Sequence, residues 1–323
     1  MDMGIKETNI SSTENNPWNS FVVKLTARCN LFCKGCWQAA GKKGSDLLDI
    51  DTMKKVHNFF KLKNEQNSSP GQLIVQYTGG EPFLWENFVP LIKFAINLGY
   101  KIRIQTNGIL INDLPEEDIN LLANQNIAIK ISLDGWNRDT HGFLRPQKSF
   151  GPVVKAIRRI TLLKPGLVGV KTVIHQKNFP QLEKMIQFVY GLGASAFTYN
   201  IFRPEGRGKN IPQNIDEYEV AKKLIEFMSK PKNQKYIHLL NGTNLINILL
   251  SKTKRVPADD FEFYIDKNGG IFPHQTCNPE EKLGSVLNPN LEEEFKVEEL
   301  KKYQTKKIIP KKLWDYVKNN LTT

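Results

Sequence analysis

Several absences narrow this sequence before any motif is read. Nowhere in its 323 residues does an apolar run approach the roughly 20 that a membrane-spanning helix needs, so no membrane anchor is expected. The opening stretch, MDMGIKETNISSTENNPW, is polar and has no apolar signal core, so export is not expected either. Cysteine is scarce: four residues are too few for a disulfide scaffold in a chain of this length. The five histidines, His57, His141, His175, His238 and His274, are scattered, and none stands at zinc-finger spacing from a cysteine pair. Acidic residues are outnumbered, 33 against 45 lysines and arginines, for a formal charge of +12. These absences exclude secreted and membrane classes and point to a reducing, cytoplasmic setting.

What is present is ordinary globular material, 40% hydrophobic and 24% charged, enough for one large α/β domain or two average ones. The basic residues are densest at Arg158, Arg159 and Lys164, at Lys252, Lys254 and Arg255, and from Lys301 to Lys312. They read as solvated helix faces, and nucleic acid is not the expected partner. An acidic peptide or an acidic electron donor is the sharper alternative.

Apolar runs alternate with amphipathic segments through most of the chain. Strands are expected at 21–26, 73–77, 101–106, 127–133, 167–174 and 196–202, and helices at 51–62, 85–98, 115–123, 152–162, 179–191 and 216–229. Asp51 is placed to cap the first helix, and Gly99 and Gly191 to end theirs. Six such strand–helix units argue for parallel pairing, two short of a closed eightfold barrel. The expected fold class is therefore α/β, a partial (β/α)6 TIM-like barrel over 21–230, after an N-terminal arm (1–20) and before a small α+β extension (231–323).

In such sheets ligands gather at the carboxyl ends of the strands, and the loops there carry the unusual residues. The first strand is followed by Cys29-Asn-Leu-Phe-Cys33-Lys-Gly-Cys36-Trp37, the second by Thr78-Gly79-Gly80-Glu81-Pro82. The third ends in Asn107-Gly108, the fourth in Ser132-Leu133-Asp134-Gly135, and the sixth in Arg203-Pro-Glu-Gly-Arg-Gly208. Three thiolates spaced C-x3-C-x2-C can hold three irons of a cubic 4Fe–4S cluster and leave the fourth iron open. A structural zinc site wants four ligands, and Cys277 lies about 240 residues away. Successive glycines bare the backbone to a ligand, and Glu81 puts a carboxylate where an ammonium could be held.

With the cysteine loop and Gly79–Pro82 in this order, the sequence resembles the radical S-adenosylmethionine (radical SAM) superfamily over about residues 20–210. That resemblance implies one 4Fe–4S cluster on Cys29, Cys33 and Cys36, with SAM chelating the open iron. It implies further that Gly79, Gly80 and Glu81, with Pro82 closing the motif, meet the methionine ammonium. Asn107, Ser132 and Asp134 match positions near the methionyl carboxylate and the ribose, and Arg145 a carboxylate-binding arginine. The implied chemistry is reductive cleavage of SAM to a 5′-deoxyadenosyl radical that abstracts hydrogen from a substrate, with a flavodoxin- or ferredoxin-type reductant. One departure is Gly35, where many relatives carry an aromatic residue; here the aromatic is Trp37, after the third cysteine. Among the histidines only His141 falls near this rim, as a minor candidate.

Toward the C-terminus, Phe263 to Pro273 reads as a hairpin turning at Asn268-Gly269. With Cys277 after it, this is similar to the start of the SPASM or twitch extension of peptide-modifying radical SAM enzymes. Those extensions hold auxiliary clusters on several cysteines, whereas Cys277, even with His274, cannot hold one alone. The branch resemblance implies maturation of a ribosomally made peptide by a crosslink or epimerisation, with a separate leader-recognition protein as a possible partner. The same chemistry on a small metabolite or on RNA is a second reading, and a non-catalytic iron–sulfur binding or sensor protein a third.

Overall fold

The computed structural model describes residues 16–43, 48–124, 126–240, 263–273 and 279–302. Elements follow in the order β1 (Ser20–Thr26), α1 (Ile50–Glu65), β2 (Ile74–Gly79), α2 (Phe88–Asn97), β3 (Lys101–Thr106), α3 (Glu116–Leu122) and β4 (Ile127–Ser132). Next come α4 (Arg138–His141), α5 (Phe150–Leu163), β5 (Val168–Ile174), α6 (Leu182–Gly191), β6 (Ala196–Ile201) and α7 (Glu217–Met228). The short strands β7 (Phe263–Ile265), β8 (Gly270–Phe272) and β9 (Gly284–Ser285) complete the sheet. Its order is β6-β5-β4-β3-β2-β1-β7-β8-β9, with β1 to β6 parallel throughout and the sheet left open.

The expected partial barrel is thus present, and the six strands fall where hydrophobic periodicity placed them. Period-two alternation sets their faces. In β3 and β4 the isoleucines Ile102, Ile104, Ile127, Ile129 and Ile131 are buried, while Arg103, Gln105, Lys130 and Ser132 on the other face are only half-buried. The isoleucine face joins the buried sides of the helices, including Met53, Val56 and Phe60 of α1 and Leu91 and Ile92 of α2, in one continuous core. The opposite face stays polar, as the lining of a ligand-binding barrel does.

Two helix ends differ from the sequence expectation. Asp49, not Asp51, caps α1, accepting from the Thr52 N–H at 2.7 Å. Helix α6 runs through Gly191, and the left-handed residue that turns the chain is Gly193. Gly99 does follow α2 in the left-handed region. The patch at Arg158, Arg159 and Lys164 is partly structural: Arg159 donates to the carbonyls of Ile111, Asn112 and Leu114, and Lys164 to that of Ala123.

The hairpin forms at its expected turn, with Gly269 left-handed and the Asp266 carboxylate accepting from the Gly270 N–H at 2.7 Å. Its placement was not legible: β7 lies parallel to β1, with Val22 opposite Tyr264, so the hairpin extends the barrel sheet itself. Aromatic packing fixes it there. Phe263 is fully buried against Trp18, Phe60 and Phe295 at ring separations of 5.0–6.0 Å. Truncating such a ring removes its burial and leaves a cavity. Phe263→Ala is therefore expected to cost about 3–5 kcal/mol, read as a lowered urea midpoint; a loss below about 1 kcal/mol would refute this anchor. His274 and Cys277 lie outside the described residues, as do residues 303–323.

Candidate functional site

The cysteine loop leaves β1 at the carboxyl rim and is pinned to its surroundings mainly through backbone groups. Cys29 N–H donates to the Gly41 carbonyl at 2.8 Å, and the Gly80 and Glu81 N–H groups donate to the carbonyls of Thr26 and Arg28 at 2.7 and 2.8 Å. The loop after β2 is therefore laid directly on the approach to the first cysteine. Both glycines are required by that contact. A Cβ on Gly79, which is left-handed, would stand 2.5 Å from the Thr26 carbonyl oxygen. One on Gly80 would overlap the Arg28 carbonyl oxygen and sit 2.8 Å from its carbon.

Pro82 opens the short 3-10 turn that follows, and Glu81 caps it. The Glu81 side chain points inward rather than into the rim. It is fully buried, accepting from the Thr106 hydroxyl at 2.6 Å and the Asn107 N–H at 2.8 Å. Burial lifts its pKa to about 7, and the donors from Thr106, Asn107 and Phe83 pull the other way. Glu81 thus ties the glycine loop to the end of β3. Asn107 completes the link, donating through Nδ2 to the Asn30 side chain at 2.7 Å and to the Cys29 sulfur at 3.8 Å.

On the other side, Asp134 and Arg145 form one unit. The Asp134 carboxylate is buried, takes the Arg145 Nε–H at 2.5 Å, and also accepts the Val173 N–H at 2.8 Å. Arg145 stays charged: burial works against it, but Asp134, Cys33 and Cys36 outweigh that cost. Ser132, at the end of β4, has no side-chain hydrogen bond to another described residue, so its hydroxyl is available to a ligand. His141 is not a catalytic group here. Its Nδ1 accepts the Asp134 N–H and its Nε2 lies 2.9 Å from the Ser149 hydroxyl, so the ring is a buried strut.

One part of the site was not singled out from the sequence, and one departure that was finds its reason. Arg207 donates through Nε to the Cys33 carbonyl at 2.8 Å and through Nη1 to the Ala40 carbonyl at 2.7 Å, with its guanidinium 4.0 Å from the Phe32 ring centre. Its loop was noticed for its glycines, yet nothing local in Arg203–Gly208 announces a clamp on residues 170 positions earlier. Gly35 sits where a Cβ would meet Leu144 at 2.9 Å and Phe202 at 3.1 Å, so no aromatic side chain fits at that position. Trp37 instead packs beside β1, with the Lys24 ammonium 4.5 Å from its ring centre.

Cys29 is buried in a small cluster with Leu31 and Ala40, and the half-buried Cys33 and Cys36 pack against it. None is in a disulfide. Burial raises the thiol of Cys29 to about 11, against the Leu31 N–H that donates to its sulfur. It also raises that of Cys33, where Arg145 and Arg207 oppose the rise. Among the described residues no three His, Cys, Asp or Glu side chains converge closely enough to hold a single metal ion. A single zinc would need its thiolates gathered at ~2.3 Å around one point, whereas a cubic cluster gives each thiolate its own iron. Three soft sulfurs, a sulfur already accepting hydrogen bonds and two nearby guanidiniums fit the anionic multi-iron group and not a lone ion.

Comparison with known proteins agrees. The Radical SAM superfamily profile matches residues 23–189, more than half of the chain. An uncharacterized protein of Methanocaldococcus jannaschii is 30% identical over 237 residues, spanning 68% of this chain and 78% of that protein. The antilisterial bacteriocin subtilosin biosynthesis protein AlbA of Bacillus subtilis is 30% identical over 280 residues, 84% of this chain but 58% of AlbA. A probable GTP 3′,8-cyclase of Saccharolobus solfataricus is 28% identical over 223 residues, 67% of each chain. Among solved structures, anSMEcpe with bound AdoMet and a peptide superposes with a TM-score of 0.70 at 16% identity, over 88% of this chain and 82% of that one. That likeness is one of fold.

Proposed function

This chain belongs to the radical SAM superfamily, and on that premise we propose that it modifies a peptide or protein, with Cys29, Cys33 and Cys36 holding three corners of a 4Fe–4S cluster. The supporting observation is the direct backbone contact between the glycine loop and the cysteine loop, with Asp134, just after β4, and Arg145, after α4, paired close to Cys33. When bound, the cluster supplies the electron that cleaves SAM reductively and so enables hydrogen abstraction from the substrate.

The chain's own residues bind and orient. The bare backbone of Gly79 and Gly80 would hold the ammonium of the methionyl group, and Glu81, turned inward, holds that backbone in place. Arg145, kept charged and aimed by Asp134, would hold the methionyl carboxylate, and the Ser132 hydroxyl would be free to bind the cofactor. Asn107 steadies Cys29 and lies on the cofactor side, while Arg207 closes the cysteine loop from outside and limits water. The kinship with AlbA, whose name places it in bacteriocin biosynthesis, favours a peptide substrate. The kinship with the cyclase favours a nucleotide as the second reading.

The test is anaerobic reconstitution with iron and sulfide, reduction with dithionite, addition of SAM, and measurement of 5′-deoxyadenosine. The chain is expected to release it. Cys33→Ala is expected to lose at least about 1,000-fold, because a missing corner ligand removes the cluster on which the whole rate depends. Iron bound without any SAM cleavage would favour a sensor instead, and 5′-deoxyadenosine coupled to GTP consumption would favour the nucleotide reading.

A further inference from the structure

Beside the cysteine loop lies a cleft of about 680 Å³ that none of these roles uses. It runs between Lys34, the segment from α4 to Gln147, the loop after β5, and residues 210–212. Its volume is that of a ligand site, and four of its polar side chains are open to solvent. Lys34, Gln176, Lys177 and Asn210 are exposed at the mouth of the cleft, and their heads engage no other described residue. Among the described residues Asp139 is the only carboxylate in the lining, and it is already held by the Gln147 amide.

Behind the wall is an orphan. His175 is almost wholly buried and stacks on Phe143, a lining residue, at 4.7 Å. Lys177 N–H donates to His175 Nδ1, which leaves the hydrogen on Nε2, and that buried N–H has no partner. A buried donor of this kind costs stability unless something accepts from it.

We propose that this cleft binds an extended segment of the peptide substrate that carries Asp or Glu side chains. The inference rests on the peptide reading of the function and locates where that peptide is gripped. Side-chain amides both donate and accept, as a peptide backbone requires, and Gln176 and Asn210 offer two unused ones on separate loops. Lys34 and Lys177, also on separate loops, suit carboxylates spaced along a chain better than one compact anion. Phe143, Ile211 and Pro212 give apolar contact for the intervening side chains. Because Lys34 stands between Cys33 and Cys36, a segment held there leads directly to the reactive rim.

The experiment uses the reconstituted full chain, immobilised anaerobically, and an equimolar library of ten-residue peptides whose retained members are identified by mass spectrometry. Acidic peptides are expected to be enriched at least tenfold over basic ones. Lys177→Glu should abolish that preference, and Lys34→Gln should weaken it. Lys101→Glu, at the opposite end of the strands, should leave it unchanged. The proposal is overturned if acidic peptides are not enriched, if Lys177→Glu retains the preference, or if Lys101→Glu lowers it equally, since net charge would then be the cause. It is also overturned if inorganic phosphate displaces the peptides as readily as a Glu-rich peptide does. Release of 5′-deoxyadenosine with and without GTP, followed in parallel, separates the two failures: release coupled to GTP consumption overturns the peptide reading, and release that GTP leaves unchanged beside a negative library result overturns only the cleft.

Discussion

Gly80→Ala is expected to lower SAM cleavage by at least about 100-fold while the chain still folds. The added methyl would overlap the Arg28 carbonyl oxygen and stand 2.8 Å from the Arg28 carbon. Neither partner is the end of a flexible side chain. Relief requires the loop after β2 to lift away from the loop after β1, and the Gly80 and Glu81 hydrogen bonds to Thr26 and Arg28 resist that movement. A displacement near 1 Å at a site that works by orientation costs about 100-fold in rate, and the overpacking itself about 1–3 kcal/mol of stability. Gly151→Ala is the matched comparison. It lies in the first turn of α5, where an added Cβ meets nothing within 4 Å, and it should stabilise by about 0.5–1 kcal/mol. Equal activity in Gly80→Ala and the parent chain would show that the two loops need not touch.

That contrast marks where sequence reading was strong. Glycines after strands, three cysteines in eight residues and alternating isoleucines are local signals, and each encodes the position of a backbone or a face. Helix α4 was missed because it is four residues long and is set by one cap, Asn137 accepting from Thr140, too short to show a period.

Interactions between distant segments were the part that could not be read. Glu81 was expected to offer its carboxylate outward, because a ligand ammonium was the only donor in view. The structure supplies donors from the end of β3, and they win because a buried carboxylate without them would be far costlier. Arg207 on the cysteine loop and Phe263 on Trp18 and Phe60 are of the same kind, decided by tertiary packing across more than 150 residues.

Histidine burial carries the second large effect, an acid weakness well inside the range of ordinary buffers. His57, His141 and His175 are each held neutral, with burial the leading cause in all three, and their pKa values fall from 6.5 to about 4. Their hydrogen bonds agree with neutrality. His57 donates through Nδ1 to the Met53 carbonyl and so accepts from the Tyr77 hydroxyl at Nε2. His141 and His175 each accept a backbone N–H at Nδ1, a position that protonation would destroy. Since the folded values lie below the unfolded one, the unfolded chain binds more protons between pH 6.5 and 4. The stability these groups contribute is complete above 6.5 and is lost as pH falls through that window, at roughly 1.4 kcal/mol per pH unit for each. Glu81 acts oppositely, because its raised pKa of about 7 makes acidification below neutrality favour the fold. Three histidines against one carboxylate leave a net loss of roughly 3–4 kcal/mol at pH 5, a large part of a typical net stability. Urea midpoints of the reduced chain should therefore drop steeply from pH 7 to pH 5, and a flat profile across that interval would refute the assignment of three neutral histidines.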